Sequence, residues 1–273
     1  MDTPFFDDAV CRRVAAVAAL LLLALLPSAA LADRRYFLNT YTPYLDQAGE
    51  SEVEVWLTSK HGKQDPTEGA MLAPRAELEY AIRSRLTGSV YLNFLRPAGE
   101  PLKYESTSAE FIYRLAAPGR FAVDPAAYLE ITESGDELEL ETKLLLARHY
   151  GRWVAAANLI GEFEFRHNDK ERLASGAVLR NGIAGELAAG VAYGVGRRVA
   201  VGVEARGRTE HPNFGRQSAA LFAAGPTFNL QLGEVQVALG ALSQIRGAPR
   251  TSGDRNLVDF ERTQLRMVVG IEL

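Results

Sequence analysis

Residues 137–166, ELELETKLLLARHYGRWVAAANLIGEFEFR, alternate with a period of two in both halves. Leu138, Leu140, Thr142, Leu144 and Leu146 fall on one face, while Glu137, Glu139, Glu141 and Lys143 begin the other. After Tyr150-Gly151-Arg152-Trp153 the rule resumes, with Ala157, Leu159, Gly161, Phe163 and Phe165 set against Asn158, Glu162, Glu164 and Arg166. A period of two is the signature of a strand, and two such runs about a short Gly-containing turn make a hairpin. Each limb has about ten residues or more, longer than an ordinary strand and long enough to cross a bilayer on a tilt. The hairpin is therefore read as one unit of a membrane β-barrel.

The same alternation recurs near 51–60, 74–86, 89–96, 106–116, 121–133, 179–194, 197–208, 217–230, 233–244 and 258–273. With the two limbs of the hairpin this predicts about twelve strands. Pro125 predicts a bulge or a late start in the strand near 121–133, and Gly225-Pro226 interrupts the one near 217–230. A soluble β-sandwich also alternates, so the choice rests on other features. Tight connections at 86–89, 117–120, 150–153, 195–198 and 230–234 take turns with longer polar ones at 60–72, 97–106, 167–176, 209–217 and 244–259; 133–137 is the one short exception. Barrels show this asymmetry between periplasmic turns and outer loops. An even strand count returns both termini to one side. Aromatic residues gather near limb ends, as in interfacial girdles. The alternation ending on Leu273 looks like the strand recognised by barrel-assembly machinery, although Phe is the usual last residue. The expected fold is all-β: a single closed antiparallel transmembrane β-barrel of about twelve strands over 51–273.

Composition is compatible with this. The 273 residues carry a net charge of −4, too small to argue for a nucleic-acid partner. Mean hydropathy close to zero excludes a polytopic helical membrane protein but not a barrel, whose two faces average out.

Arg12 and Arg13 precede the apolar run 14–26, and Ala30-Leu31-Ala32 has the small-x-small form of a signal-peptidase site. Residues 1–32 are thus expected to be an export signal cleaved after Ala32. Cys11, the only cysteine, would leave with it, so no disulfide, thiolate metal site or Cys nucleophile is expected in the mature chain. The irregular, aromatic-rich stretch 33–50, with Tyr36, Phe37, Tyr41 and Tyr44, reads as a periplasmic lead-in. The implied location is the bacterial outer membrane. The implied partners are the lipid bilayer and lipopolysaccharide, the assembly machinery, and a small-molecule solute.

Three segments carry a family resemblance: 39–94 (NTYTPYLDQAGESEVEVWLTSKHG…ELEYAIRSRLTGSVYLNF), 124–146 (DPAAYLEITESGDELELETKLLL) and 158–163. They are similar to a group of bacterial outer-membrane proteins of unknown function, which resemble the transporter-like barrels named for the meta-pathway of phenol degradation. The resemblance implies fold and location. Its motifs are structural, and it brings no catalytic residue and no substrate.

The face expected to point inward is heavily charged. Glu77, Glu79, Glu110, Glu130, Glu139, Glu141, Glu162, Glu164 and Glu204 share it with Arg83, Arg114, Lys143, Arg166 and Arg206, and with Glu52, Glu54, Glu186, Arg85 and Arg266. Facing Glu and Arg across a modest bore predict ion pairs across the lumen. Two meanings stand open: a salt-bridge network that plugs and stiffens the barrel, or a charged conduit that orients a small polar solute. The favoured function is porin-like passage or uptake of a small solute. The first alternative is a plugged structural or partner-binding barrel without transport, and the second an outer-membrane enzyme. No cofactor or metal is expected: His61, His149, His167 and His211 form no metal spacing, and the only Ser–His pair suggested is the distant Ser218 with His211.

Overall fold

A computed structural model describes residues 35–65, 70–167, 178 and 181–273. The export-signal reading of 1–32, with Cys11, lies outside the described residues. The strands are β1 (Ser51–His61), β2 (Ala70–Arg83), β3 (Leu86–Leu95), β4 (Lys103–Arg114), β5 (Asp124–Glu133) and β6 (Glu137–Tyr150), then β7 (Trp153–Arg166), β8 (Asn181–Gly194), β9 (Val199–Pro212), β10 (Ala219–Leu232), β11 (Val235–Ala248) and β12 (Thr263–Glu272). Each pairs antiparallel with its sequence neighbours. β1 closes the ring on β12, with Val55 opposite Val269 and Trp56 opposite Val268. The structure is a closed twelve-stranded antiparallel barrel.

The strands that differ from expectation do so for local reasons. β5 begins at Asp124, one residue before Pro125, so the connection from β4 spans 115–123 and is not tight. β10 runs straight through Gly225-Pro226. Its ladder to β9 is unbroken there (Gly225 opposite Glu204, Pro226 opposite Val203), whereas neither residue has a partner on β11. The missing proline N–H is thus accommodated on one side only.

Alternation sorts the residues. Leu78, Val90, Leu129, Leu159, Leu187, Val203, Leu239 and Leu265 point outward and are exposed around the ring. An apolar band of that extent on a closed barrel is a lipid-facing surface. Trp153 packs on Tyr193 at 4.8 Å at the short-turn rim, and Phe94 meets Tyr104 edge-on at 6.2 Å at the other, consistent with two aromatic girdles.

The interior holds what alternation alone did not reveal. Residues 35–46 do not form a lead-in outside the barrel but fold irregularly inside its short-turn half. Phe37 packs on Ala147, Val154, Ala156 and Ala192. Leu38 packs on Trp56, Ala238 and Val268. Leu45 packs on Ile112, Ala126, Tyr128 and Leu145. At the opposite mouth Phe260, from the last long loop, is buried against Ala219, Leu221, Ala223 and Leu242.

Leu159 and Leu187 face each other in mid-strand, outward and about half exposed. Leu159→Arg or Leu187→Arg is expected to destabilise the barrel by about 2–4 kcal/mol in lipid, the cost of an arginine near the midplane. Denaturant unfolding in phospholipid vesicles measures this; unchanged midpoints for both variants would contradict a lipid-facing wall.

Candidate functional site

The inner segment is built into the wall by polar side chains. Glu204 on β9, 1% exposed, accepts hydrogen bonds from three consecutive backbone N–H groups: Leu38 at 3.2 Å, Asn39 at 2.8 Å and Thr40 at 2.6 Å. Asn39 adds its side-chain amide at 3.2 Å. Asn158 on β7 pairs in both directions with Tyr41, accepting from its N–H at 2.6 Å and donating to its carbonyl at 2.9 Å. Arg35 grips Glu54 with two hydrogen bonds of 3.0 Å, while Asn229 and Gln236 take its backbone carbonyl and N–H. Arg266 donates to the Leu38 carbonyl at 2.6 Å. Six strands therefore satisfy a segment with no ladder of its own, as backbone at membrane depth requires.

Small residues in the wall make room for it. A Cβ built on Gly190 would lie 2.5 Å from the Phe37 ring, and one on Gly240 would lie 2.4 Å from Leu38 Cδ1. Both glycines work by absence: the stopper's side chains occupy the space a larger residue would fill.

Above the stopper, toward the long loops, lies a cavity of about 720 Å³. Arg266 on β12 lines one side and Glu139 and Glu141 on β6 line the other, six strands away around the twelve-stranded ring. Arg75, Arg206 and Glu130 also face it. The interior is thus polarised across its width.

The ion pairs run along the wall and do not cross the lumen as expected. Arg206 meets Glu186 at 2.8 Å, and Arg208 reaches past β8 to Glu162. Lys143 meets Glu141 at 2.7 Å, and Arg166 meets Glu137 at 2.9 Å and Glu164 at 3.4 Å. With side chains reaching only the next strand or two, the centre is left to the stopper and the cavity.

Among the residues expected to line the lumen, the structure brings Glu130, Glu139, Glu141, Lys143, Glu162, Arg166 and Arg206 to the cavity. Glu164 pairs with Arg166 at the long-loop end. Glu204 serves the stopper. Glu77, Glu79 and Glu110 are buried on the wall, with carboxylate oxygens within 4.8 Å of one another. Neither oxygen of Glu77 has a hydrogen-bond partner, and these three are the described residues best placed to share a cation. Arg83 and Arg114 are not lumen groups. Both have inward parity but sit at the short-turn rim, where Arg83 is exposed and Arg114 donates to the Ser84 carbonyl. The suggested Ser218–His211 pair does not form: Ser218 donates to the Glu210 carbonyl, and the His211 ring faces the Gly215 carbonyl.

Three features escaped sequence reading. Arg75 and Arg208 both follow the inward parity and could have been included. Ser59 Oγ lies 2.7 Å from His61 Nε2 on the outward face, a pair no spacing rule singled out; no third side chain among the described residues orients the imidazole. Glu261, in the last long loop, lines a second space of about 270 Å³ near the mouth, beside Lys60. Burial would raise its carboxyl, but Lys60, its own backbone N–H and Arg206 outweigh that and hold it below the usual carboxylate range.

Residues 130–273 match the model of a family described as a family of unknown function, DUF6662. No curated protein matches the chain. Among solved structures, the barrel is similar to the NanC porin at 11% identity and a TM-score of 0.54, covering 80% of this chain and 98% of that one. It also matches a bacterial polysaccharide outer membrane secretin (8% identity, TM-score 0.47, 84% and 99% covered) and the outer-membrane protein OmpT of Vibrio cholerae (8%, 0.41, 84% and 99%). At these identities the likeness concerns the fold.

Gly190→Leu should drive Phe37 from its seat and expose the stopper. Trypsin added to the folded, detergent-solubilised chain then cuts after Arg35 in the variant at least tenfold faster than in the wild type. Equal rates would contradict the seating of Phe37 against Gly190.

Proposed function

The chain belongs to DUF6662, a family of unknown function, and we propose that it is an outer-membrane barrel for gated passage of a small polar solute. The barrel wall encloses a lumen, and what closes that lumen is the segment 35–46. The observation that carries the reading is the attachment of this segment: its backbone is held by side chains such as Glu204 and Asn158, not by a strand ladder. A ladder would have to be peeled along its length, whereas a set of side-chain hydrogen bonds can be released together. The polarised cavity above supplies a place where a solute with separated charge or hydrogen-bonding groups is oriented before it passes. The porin-like fold and the lipid-facing band support placement in the outer membrane.

The same stopper would serve a barrel that binds a partner and transports nothing, and conductance separates the two. Glu204→Gln keeps size and shape but removes the charge from three hydrogen bonds. A hydrogen bond to a charged group contributes about 1.5–3 kcal/mol, and each 1.4 kcal/mol is a tenfold change in population. In planar bilayers the wild type is expected to stay mostly closed, and the Glu204→Gln variant to open at least tenfold more often. The pairs at Glu141 and Arg166 then set selectivity, so Glu141→Gln and Arg166→Gln shift the reversal potential of the open state. A silent Glu204→Gln barrel that folds normally would remove the passage reading.

A further inference from the structure

Two arginines in the cavity differ from the rest. Arg206 and Arg208 meet carboxylates, but Arg75 and Arg266 have none within ion-pair distance. Arg75 makes a single hydrogen bond, from Nε to Asn93 Oδ1 at 2.9 Å, and otherwise lies over the rings of Tyr91 at 4.2 Å and Trp56 at 5.2 Å. Its two terminal nitrogens make no hydrogen bond to the protein. The carboxylate acting on it most strongly, Glu130, is engaged by the hydroxyls of Tyr128 and Thr132. Arg266 donates to Thr58 Oγ1 at 2.8 Å and to the stopper, and lies 5.3 Å from the Trp56 ring. The charged groups acting on Arg266 most strongly are Arg75 and Arg206, both of its own sign.

Like charges gathered in a confined space are costly unless an anion joins them. A guanidinium with open N–H groups, held flat on aromatic rings, suits a carboxylate through paired hydrogen bonds. The aromatic platform fixes Arg75 and lowers the entropy lost on binding. On the far side, Glu139 has Glu162, Glu141, Glu130 and Glu164 as its charged neighbours and no cationic partner in ion-pair distance. That wall repels a second negative charge and accepts hydrogen bonds.

We propose that Arg75 and Arg266 form the anion subsite of the cavity, taking the carboxylate of a small organic solute whose other end carries hydroxyl or ammonium donors directed at Glu139. The volume of about 720 Å³ lies within the range of small-molecule pockets. The proposal rests on the cavity being the solute vestibule of the gated barrel.

The test is a fluorescence titration of the refolded chain in detergent. Trp153→Phe leaves Trp56 as the sole tryptophan of the described residues, at the subsite. The probes are D-glycerate and L-serine, with glycerol as the neutral control and inorganic phosphate as the competing anion. Saturable quenching by glycerate or serine and none by glycerol is expected, with affinity at least tenfold weaker in Arg75→Gln and Arg266→Gln. Arg75→Gln touches no stopper contact, so its loss of binding is not a consequence of stopper release; trypsin cleavage after Arg35 verifies that. No saturation by either carboxylate, equal quenching by glycerol, phosphate binding in place of carboxylate, or wild-type affinity in both variants would overturn the assignment. Failure here with an active Glu204→Gln channel leaves gated passage standing without this subsite; failure of both removes both.

Discussion

One carboxylate organises the interior. Glu204 is buried in the wall of β9, between Gly190 on β8 and Gly225 on β10. It gathers the N–H groups of Leu38, Asn39 and Thr40. Successive backbone N–H groups converging on one anion make a nest, here with the anion supplied by the wall and the nest by the inserted segment. A buried carboxylate without partners would be unfavourable, and so would an irregular backbone at membrane depth. Each removes the other's penalty. The rest of the stopper follows: Phe37 and Leu38 on either side of Gly190 and Gly240, Tyr41 against Asn158, and Arg35 against Glu54.

The stopper also explains why the lumen is divided. Below, the inward face turns apolar at Ile112, Ala126, Leu145, Ala147, Val154 and Ala156, and is filled by Phe37 and Leu45. Above, it turns charged, and its ion pairs link neighbouring strands, leaving space in the middle. Where cation and carboxylate are paired along the wall, the cavity is close to neutral. Where they are not, at Arg75, Arg266 and Glu139, it has polarity across its width. Stiffening network and oriented cavity therefore coexist in one lumen, set apart by which charges find partners.

Much of this was legible in the sequence. The alternation over 137–166 is reproduced residue by residue, with Glu141 opposite Glu162 and Leu144 opposite Leu159, because a one-residue slip would turn every leucine inward. Pro125 marked the late start of β5. The stopper was not legible. Residues 35–46 have neither period, and irregular segments carry no pattern that says whether they lie outside a barrel or within it. A signal was nevertheless present on the wall. Leu145, Ala147, Val154 and Ala156 are apolar at inward positions, which a water-filled lumen does not call for, and Gly190 and Gly240 leave gaps beside them. Arg83 and Arg114 show the converse limit: parity gives the face of a strand, but depth along it decides whether a side chain meets lumen or rim.

The most direct test of the account is a staple between stopper and wall. Cysteines at Leu38 and Gly240, in a chain with Cys11 replaced by serine, occupy positions that the structure brings into contact. The measurement is bilayer conductance under oxidising and then reducing conditions. The account predicts no openings while the disulfide holds the segment in place, and openings that appear on addition of reductant. Equal conductance in both states would contradict a lumen closed by residues 35–46.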